Sequence, residues 1–169
     1  MAKLNILTIP DKRLKTKAVA VEQFDSELVT LVADMLDTMY AAPGIGLAAT
    51  QVDVHKRLVV LDISEDKDQP LCLINAKITK KTGHQLHEEG CLSVPNIYAK
   101  VKRAELIEVE AQNEKGEVFQ LRAEGLLAIC IQHELDHLEG IVFLDHLSPL
   151  KRKMALKKLE KEKQENEND

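Results

Sequence analysis

The residue types best suited to chemistry lie in residues 132–140, which read QHELDHLEG and contain the pattern HExxH. The apolar residues before them, 126–131, predict that this stretch is a buried helix. Residues four apart on a helix lie one above the other, so His133 and His137 point the same way, about 6 Å apart, and can bind one metal ion. Glu134 lies at the edge of that face and can reach a water on the metal. The arrangement indicates metal-assisted hydrolysis.

Two histidines and a glutamate can also share a helix by chance, with hydrogen bonds alone satisfying the imidazoles. Average residue usage gives a chance match in on the order of one chain in a few hundred. An ionisable trio inside a buried helix is costly unless it is paired or bound to metal. We therefore favour the metal site over the chance match.

A further protein ligand is needed beside the two imidazoles. The long zinc-peptidase pattern places a third histidine three residues after the glycine that ends the helix, but Phe143 stands there after Gly140. The cysteines are the remaining candidates. Cys130 lies on the helix itself, and a rise of about 10.5 Å to the second histidine is too long for both to reach one ion comfortably. Cys72, in LCLI, is typical of core, whereas Cys91, between turn residues in EEGCLSVP, can approach the helix from outside.

Three stretches together resemble a known family. Residues 44–51 (GIGLAATQ), 89–93 (EGCLS) and 133–140 (HELDHLEG) resemble the three motifs of bacterial peptide deformylases, in order and with similar spacing. The resemblance extends over residues 4–150. It implies three metal ligands, which are Cys91, His133 and His137.

The resemblance also implies a reaction, the removal of the N-terminal formyl group from formyl-methionine of newly synthesised polypeptides with release of formate. Glu134 would carry the proton, while the Gln51 amide and the backbone N–H of Leu92 would hold the oxyanion. Glu89 and Arg103 match a pair that orients the ligands, with a surface salt bridge as the alternative at even odds. The substrate-binding positions would be Ile45, Gly46, His87, Leu126, Ile129 and Cys130.

Two residues depart from the family's pattern, and the sequence does not determine which metal is bound. His87 stands where relatives usually carry an apolar pocket residue, and Tyr98 stands where some carry a basic residue near the path of the peptide. A Cys-His-His site suits Zn²⁺, Ni²⁺, Co²⁺ or Fe²⁺. The resemblance implies one ion, Fe²⁺ in the cell, with zinc or nickel after aerobic purification.

The elements that must position these residues follow from periodicity. A helix is predicted after Asp25 or Ser26, and strands are predicted at 57–63, 71–80, 104–112 and 118–123. The short connections between strands favour antiparallel pairing. The predicted fold class is α+β: mostly antiparallel sheets packed around a central metal-binding HExxH helix, with an amino-terminal and a carboxy-terminal helix.

Composition limits the class of protein. The chain has 169 residues, 44% of them hydrophobic and 30% charged, which is typical of a globular domain with a core. A net charge of −5 argues against DNA binding. No apolar run approaches the ~18 residues of a membrane span. Three cysteines, an odd number, favour reduced thiols and a cytoplasmic location.

The last residues differ from the rest in composition. We expect residues 1–148 to form a single catalytic domain and residues 149–169 to form a charged carboxy-terminal helix and tail. A basic front at 151–158 precedes mostly acidic residues. The tail is either a solvated helix, which we favour slightly, or an anchor to the ribosome, as the resemblance implies for some relatives. We expect a monomer.

Two other functions compete with deformylation. The same helix could belong to a metallopeptidase that cleaves amides inside chains, which would give internal cleavage instead of formate. The metal could also be structural, without catalysis. Closed structural sites use four protein ligands, and only three are identifiable here, so we expect an open coordination position.

Overall fold

The computed structural model describes residues 3–167. Two antiparallel β-sheets surround a central helix that carries the HExxH motif, and further helices lie near each end of the chain. The predicted α+β class is therefore confirmed. Within the described range, no helix combines the length and apolar character that a membrane crossing needs.

Helix α1, Ser26–Ala41, begins where the sequence predicts. Asp25 caps it, because its carboxylate accepts a hydrogen bond from the backbone N–H of Leu28 at 3.1 Å, which satisfies one donor that the helix start leaves free. The buried side chains recur every three or four residues, as expected for a helix with one face on a core. They include Leu28, Val32, Met35 and Met39.

Residues 3–167 contain seven strands: β1 Gly46–Ala48, β2 Leu58–Leu61, β3 Leu71–Thr82, β4 Gln85–Cys91, β5 Val94–Arg103, β6 Leu106–Gln112 and β7 Val118–Glu124. Five of them form one sheet in the order β1-β2-β3-β6-β7, and every neighbouring pair is antiparallel. All four predicted strands are present, although β2 is shorter than expected. The short strand β1, which carries Gly46, was not predicted.

Strands β4 and β5 form a separate two-stranded hairpin that the sequence analysis missed. Its charged Glu89 and Arg103 are buried, whereas Leu86 and Tyr98 are 68% and 67% exposed. The usual alternation of apolar residues inward and polar residues outward is thus inverted at these positions. The hairpin matters for function because Cys91 lies at its turn.

Helix α2, Gly125–Leu138, follows β7 directly and packs against the large sheet. The predicted buried helix is confirmed, with Ala128 and Ile131 fully buried in the core. The chain leaves α2 through Gly140, whose φ is +77°. A Cβ there would also collide with the carbonyl oxygen of Lys15. Glycine is therefore required on both conformational and steric grounds.

Helix α3, Pro149–Glu167, confirms that the tail is helical. Arg152 pairs with Asp145 at 3.1 Å, and two partly buried residues, Ala155 and Leu159, pack on the core cluster of hairpin β4–β5. The rest of the described helix is largely exposed. Residues 168–169 of the predicted tail lie outside the described residues.

Candidate active site

Helix α2 brings the two histidines together. The Nε2 atoms of His133 and His137 lie 3.3 Å apart, and both residues are buried. The Thr50 hydroxyl donates to the backbone carbonyl of His137 at 3.1 Å, which ties this end of the helix to a short 3-10 turn, Ala49–Val52. Both imidazoles therefore present ring nitrogens to one point.

Cys91 completes the group from the hairpin turn. Its Sγ lies 3.3 Å from Nε2 of His137, and the ligand atoms of Cys91, His133 and His137 all lie within 4.8 Å of one another. In the part of the chain that the structure describes, no other group of three such residues is close enough to hold an ion. The structure thus brings Cys91, and not Cys72 or Cys130, to the histidines.

The surroundings of these atoms fit a metal ion. Glu89 Oε1 lies 2.9 Å from His133 Nδ1, so Nδ1–H donates to the carboxylate and leaves Nε2 as a lone pair facing the site. The backbone N–H of Ser93 donates to Cys91 Sγ at 3.4 Å and so helps to orient the sulfur toward the histidines. Burial lowers the pKa of His137 well below its usual value, and neutral imidazole is the form that binds metal. For His133, hydrogen bonds with Cys91 and Glu89 outweigh burial and raise the pKa, a shift that a bound cation would oppose.

Glu89 and Arg103 form a buried ion pair. Arg103 donates from Nε and Nη2 to the two carboxylate oxygens of Glu89 at 2.8 and 2.9 Å, and the two side chains are 4% and 3% exposed. Burial alone would raise the pKa of Glu89, but hydrogen bonds from Arg103 and His133 outweigh it and lower the pKa to about 2. The surface salt bridge considered from the sequence is not what the structure contains.

Glu134 lies beside the histidines without a partner for one of its oxygens. Its Oε1 is buried and has no hydrogen bond, and its other oxygen lies so close to Gly46 that a Cβ there would overlap it. Burial raises the pKa of Glu134 to about 7. This carboxylate can therefore accept and return a proton near neutral pH.

Gln51 is held by the 3-10 turn with its amide toward the thiol. Its Oε1 accepts from the backbone N–H of Ala48 at 2.9 Å. Its Nε2 donates to Ser93 Oγ at 3.0 Å and lies 3.6 Å from Cys91 Sγ. Both carbonyl and amide ends are thus fixed, and the donor end faces the site.

An open cavity of about 730 Å³ leads to these groups. Every substrate-binding position predicted from the sequence lines it, namely Ile45, Gly46, His87, Leu126, Ile129 and Cys130, and so do Gln51 and Leu92. Further lining residues were not assigned from the sequence, among them Ile6, Pro43, Glu88 and Asn96. Ala42 and Pro43 were given no role from the sequence, although their position directly before GIG was a usable signal.

Two imidazoles and a thiol that converge beside a buried carboxylate, at the end of a cavity, are the arrangement of a metal-dependent hydrolase. Residues 3–153 match the family model described as polypeptide deformylase. The chain belongs to this family.

Individual relatives agree over almost the whole chain. A peptide deformylase of Pseudoalteromonas translucida (strain TAC 125) is 59% identical over 162 residues, covering 96% of this chain and 97% of that protein. The crystal structure of a peptide deformylase from Legionella pneumophila is 49% identical, with a TM-score of 0.94 and 99% of each chain covered. One from Synechococcus elongatus, in complex with actinonin, is 44% identical with a TM-score of 0.89, covering 94% of this chain and 89% of that one.

The chain is therefore a metal-dependent hydrolase that removes the N-terminal formyl group from formyl-methionine of nascent polypeptides and releases formate. The predicted family, enzyme class and reaction are confirmed. The two competing interpretations, a peptidase that cleaves inside chains and a structural metal site, are set aside by the family.

Proposed function

We propose that Cys91, His133 and His137 hold one divalent metal ion and that deformylation takes place beside them. The observation that carries the proposal is the convergence of their ligand atoms within 4.8 Å at the end of the cavity. A divalent ion bound there would supply a Lewis acid that makes a water acidic and polarises a carbonyl oxygen. With three protein ligands, the site keeps a position open for water or substrate.

Glu134 acts as the proton carrier. It takes a proton from the attacking water and returns it to the leaving amine. Its buried oxygen without a hydrogen bond and its pKa of about 7 support this role, because such a group can both accept and release a proton near neutral pH. Formate and a free amino terminus then leave.

The Gln51 amide and the backbone N–H of Leu92 stabilise the negative charge that develops on the formyl oxygen. Gln51 is supported in this role by its fixed position, since Nε2 lies 3.6 Å from Cys91 Sγ and Oε1 is held by Ala48. Leu92 follows Cys91 in the hairpin turn and lines the cavity. Prearranged donors of this kind need no reorganisation during the reaction.

The methionine side chain of the substrate binds among four residues of the cavity wall. Ile129 and Cys130 are buried at its base. Ile45 and Leu126 are 41% and 39% exposed, which leaves apolar surface at the opening. Gly46 keeps space beside Glu134, and the exposed His87 makes one wall more polar than in relatives with an apolar residue there.

We propose Fe²⁺ as the ion bound in the cell. The donor set of one thiolate and two imidazoles accepts Fe²⁺, Zn²⁺, Ni²⁺ and Co²⁺, so the ion is decided by supply and by oxygen exposure. The test is metal analysis of protein purified without oxygen, together with formate release from formyl-Met peptides. We expect about one iron per chain and high turnover, with iron lost and zinc or nickel gained after aerobic purification. Full activity in iron-free anaerobic protein would contradict the proposal.

We propose further that residues 1–148 are the catalytic domain and that residues 149–169, the charged carboxy-terminal helix and tail, dock on the ribosome. The protein would act as a cytoplasmic monomer on chains still being made. Helix α3 supports docking because its exposed residues Leu150 and Met154 lie among lysines. Within the basic front, residues 151–158, four lysines are exposed, namely Lys151, Lys153, Lys157 and Lys158, whereas Arg152 pairs with Asp145.

The basic front could be tested by ending the chain after Leu150, but this truncation would also remove the packing of Ala155 and Leu159. Substitution of its lysines is the cleaner test. Replacing all four lysines of the basic front by Gln should spare formate release from small peptides and weaken cosedimentation with ribosomes. The weakening should resemble that caused by added salt, since phosphate contacts release counterions. The matched control removes four exposed lysines elsewhere: Lys80, Lys81, Lys100 and Lys102. Equal binding by all three proteins would leave α3 as a solvated helix.

A further inference from the structure

A continuous chain of hydrogen bonds runs from the protein surface to His133. His146 Nε2 lies 2.8 Å from Asp136 Oδ2, and the same oxygen accepts from Arg103 Nη1 at 2.6 Å. Arg103 uses its other two nitrogens for Glu89, and Glu89 Oε1 lies 2.9 Å from His133 Nδ1. Every group between the surface and the proposed metal ligand is thus partnered on both sides.

This chain of hydrogen bonds joins two separate parts of the fold. Glu89 and Arg103 belong to hairpin β4–β5, the element that carries Cys91. Asp136 belongs to α2, which carries both histidines, and His146 belongs to the 3-10 turn Phe143–His146 that follows it. The thiol and the imidazoles come from different elements, so their separation depends on contacts that fix the hairpin on the helix.

The donors and acceptors can be assigned. The ionised Asp136 carboxylate only accepts, so His146 Nε2 carries a proton and donates to it. The 3.4 Å contact between His146 Nε2 and Arg103 Nη1 then sets one donor against another and is not a hydrogen bond. His146 therefore acts on Arg103 only through Asp136, whose side chain is 25% exposed and is held by His146 in addition to Arg103.

We propose that Asp136 and His146 are positioning residues of the metal site. His146 orients the Asp136 carboxylate, Asp136 fixes the guanidinium of Arg103, and Arg103 holds Glu89 against His133. The inference rests on the proposed metal site and assigns to it two residues beyond the ligands and the Glu89–Arg103 pair. Outer partners of this kind set the orientation of a ligand and the rate at which the metal leaves.

The test measures how fast cobalt leaves the protein. Anaerobic Co²⁺-loaded protein is mixed with excess chelator, and loss of the cobalt–thiolate absorption gives the release rate. Asp136→Asn should accelerate release about tenfold, and His146→Ala should do so by roughly threefold, because Arg103 still binds Glu89 in both. His146→Gln keeps an N–H donor and should remain close to the unmodified protein. His84→Ala is the matched control. His84 is exposed and lines the same surface groove as Asp136 and His146, but it is not part of the chain of hydrogen bonds.

The double variant separates positioning from a general loss of stability. If His146 acts through Asp136, His146→Ala should add nothing to the release rate of Asp136→Asn. Thermal unfolding of the metal-free variants records any loss of folding stability. If His146→Ala is unstable, His146→Leu provides a second variant without the N–H donor. Independent effects in the double variant, or release from His146→Ala at the rate of the control, would overturn the proposal. Unmodified protein that takes up no cobalt would overturn the metal site itself.

Discussion

Replacing Gly46 by alanine tests how closely strand β1 confines the proposed proton carrier. A Cβ at this position would overlap the Glu134 carboxylate and lie 2.9 Å from Cys130 Sγ. Glu134 and Cys130 are both buried on α2, so neither can swing into solvent. Gly46 is not among the glycines with positive φ, so the added methyl acts only through these contacts.

The magnitude follows from the two effects of the added methyl. Overpacking of a filled interior costs about 1–3 kcal/mol of folding stability. A carboxylate pushed by about 1 Å from its productive place costs roughly 100-fold in turnover. None of the three nearest atoms to the new Cβ belongs to a proposed ligand. We therefore expect Gly46→Ala to keep its metal and to lose most of its formate release.

The assay compares formate release from a formyl-Met peptide with the metal content of the same preparation. Gly44→Ala is the matched control from the same loop. The three atoms nearest to its Cβ would all belong to the side chain of Leu92, the closest at 2.9 Å, and the far end of a leucine can move aside. It should lose far less activity. Turnover in Gly46→Ala equal to that of the control would refute the reasoning that β1 places Glu134.

Three further outcomes are expected. Glu134→Gln should keep fold and metal but lose about 10²–10⁴-fold in formate release, because only the proton carrier is gone. Cys91→Ser should weaken metal binding in dialysis, while Cys130→Ser should retain the metal; the reverse would show that the ligand was wrongly chosen. Burial raises the pKa of Glu134 to about 7. Because only the ionised carboxylate accepts a proton, kcat/KM should fall on acidification. A bound cation favours the ionised carboxylate and so moves this fall below pH 7. A rate that rises on acidification would contradict the role.

The spacing of residues along the chain was enough to predict helix α2, which carries the two histidines. Residues 126–138 combine an apolar run with two histidines four apart, and the period of a helix forces both onto one face. The structure places their Nε2 atoms 3.3 Å apart. The four predicted strands were found from equally local signals: residues 104–112 alternate between apolar and polar side chains, whereas β2 is a short apolar run that is buried at every position.

The hairpin could not be predicted from periodicity. Glu89 and Arg103 occupy buried positions, and Leu86 and Tyr98 face outward, so the pattern of a half-buried strand is broken. A charged pair is tolerated there because each member satisfies the other, a relation between residues 14 apart in sequence. The choice of Cys91 over the other cysteines consequently rested on its flanking turn residues and on the family motifs.

Contacts between residues that are far apart in the chain could not be predicted from the sequence. Asp136 lies between the motif residues yet was not singled out, because its contact with Arg103 spans 33 positions. His146 was not singled out either. The cavity wall formed by Ile6 and Asn96 was equally hidden, since Ile6 lies in the amino-terminal segment and Asn96 lies in β5, 90 positions later in the sequence.

Cobalt titration of metal-free protein tests the central claim most directly, namely that one ion held by Cys91, His133 and His137 makes deformylation possible. Thiolate-to-cobalt absorption and formate release are followed in the same samples. We predict that both rise in proportion and stop at one equivalent per chain, and that the absorption is absent from Cys91→Ser. Formate release that is complete without bound metal, or a thiolate absorption that survives in Cys91→Ser, would contradict the claim.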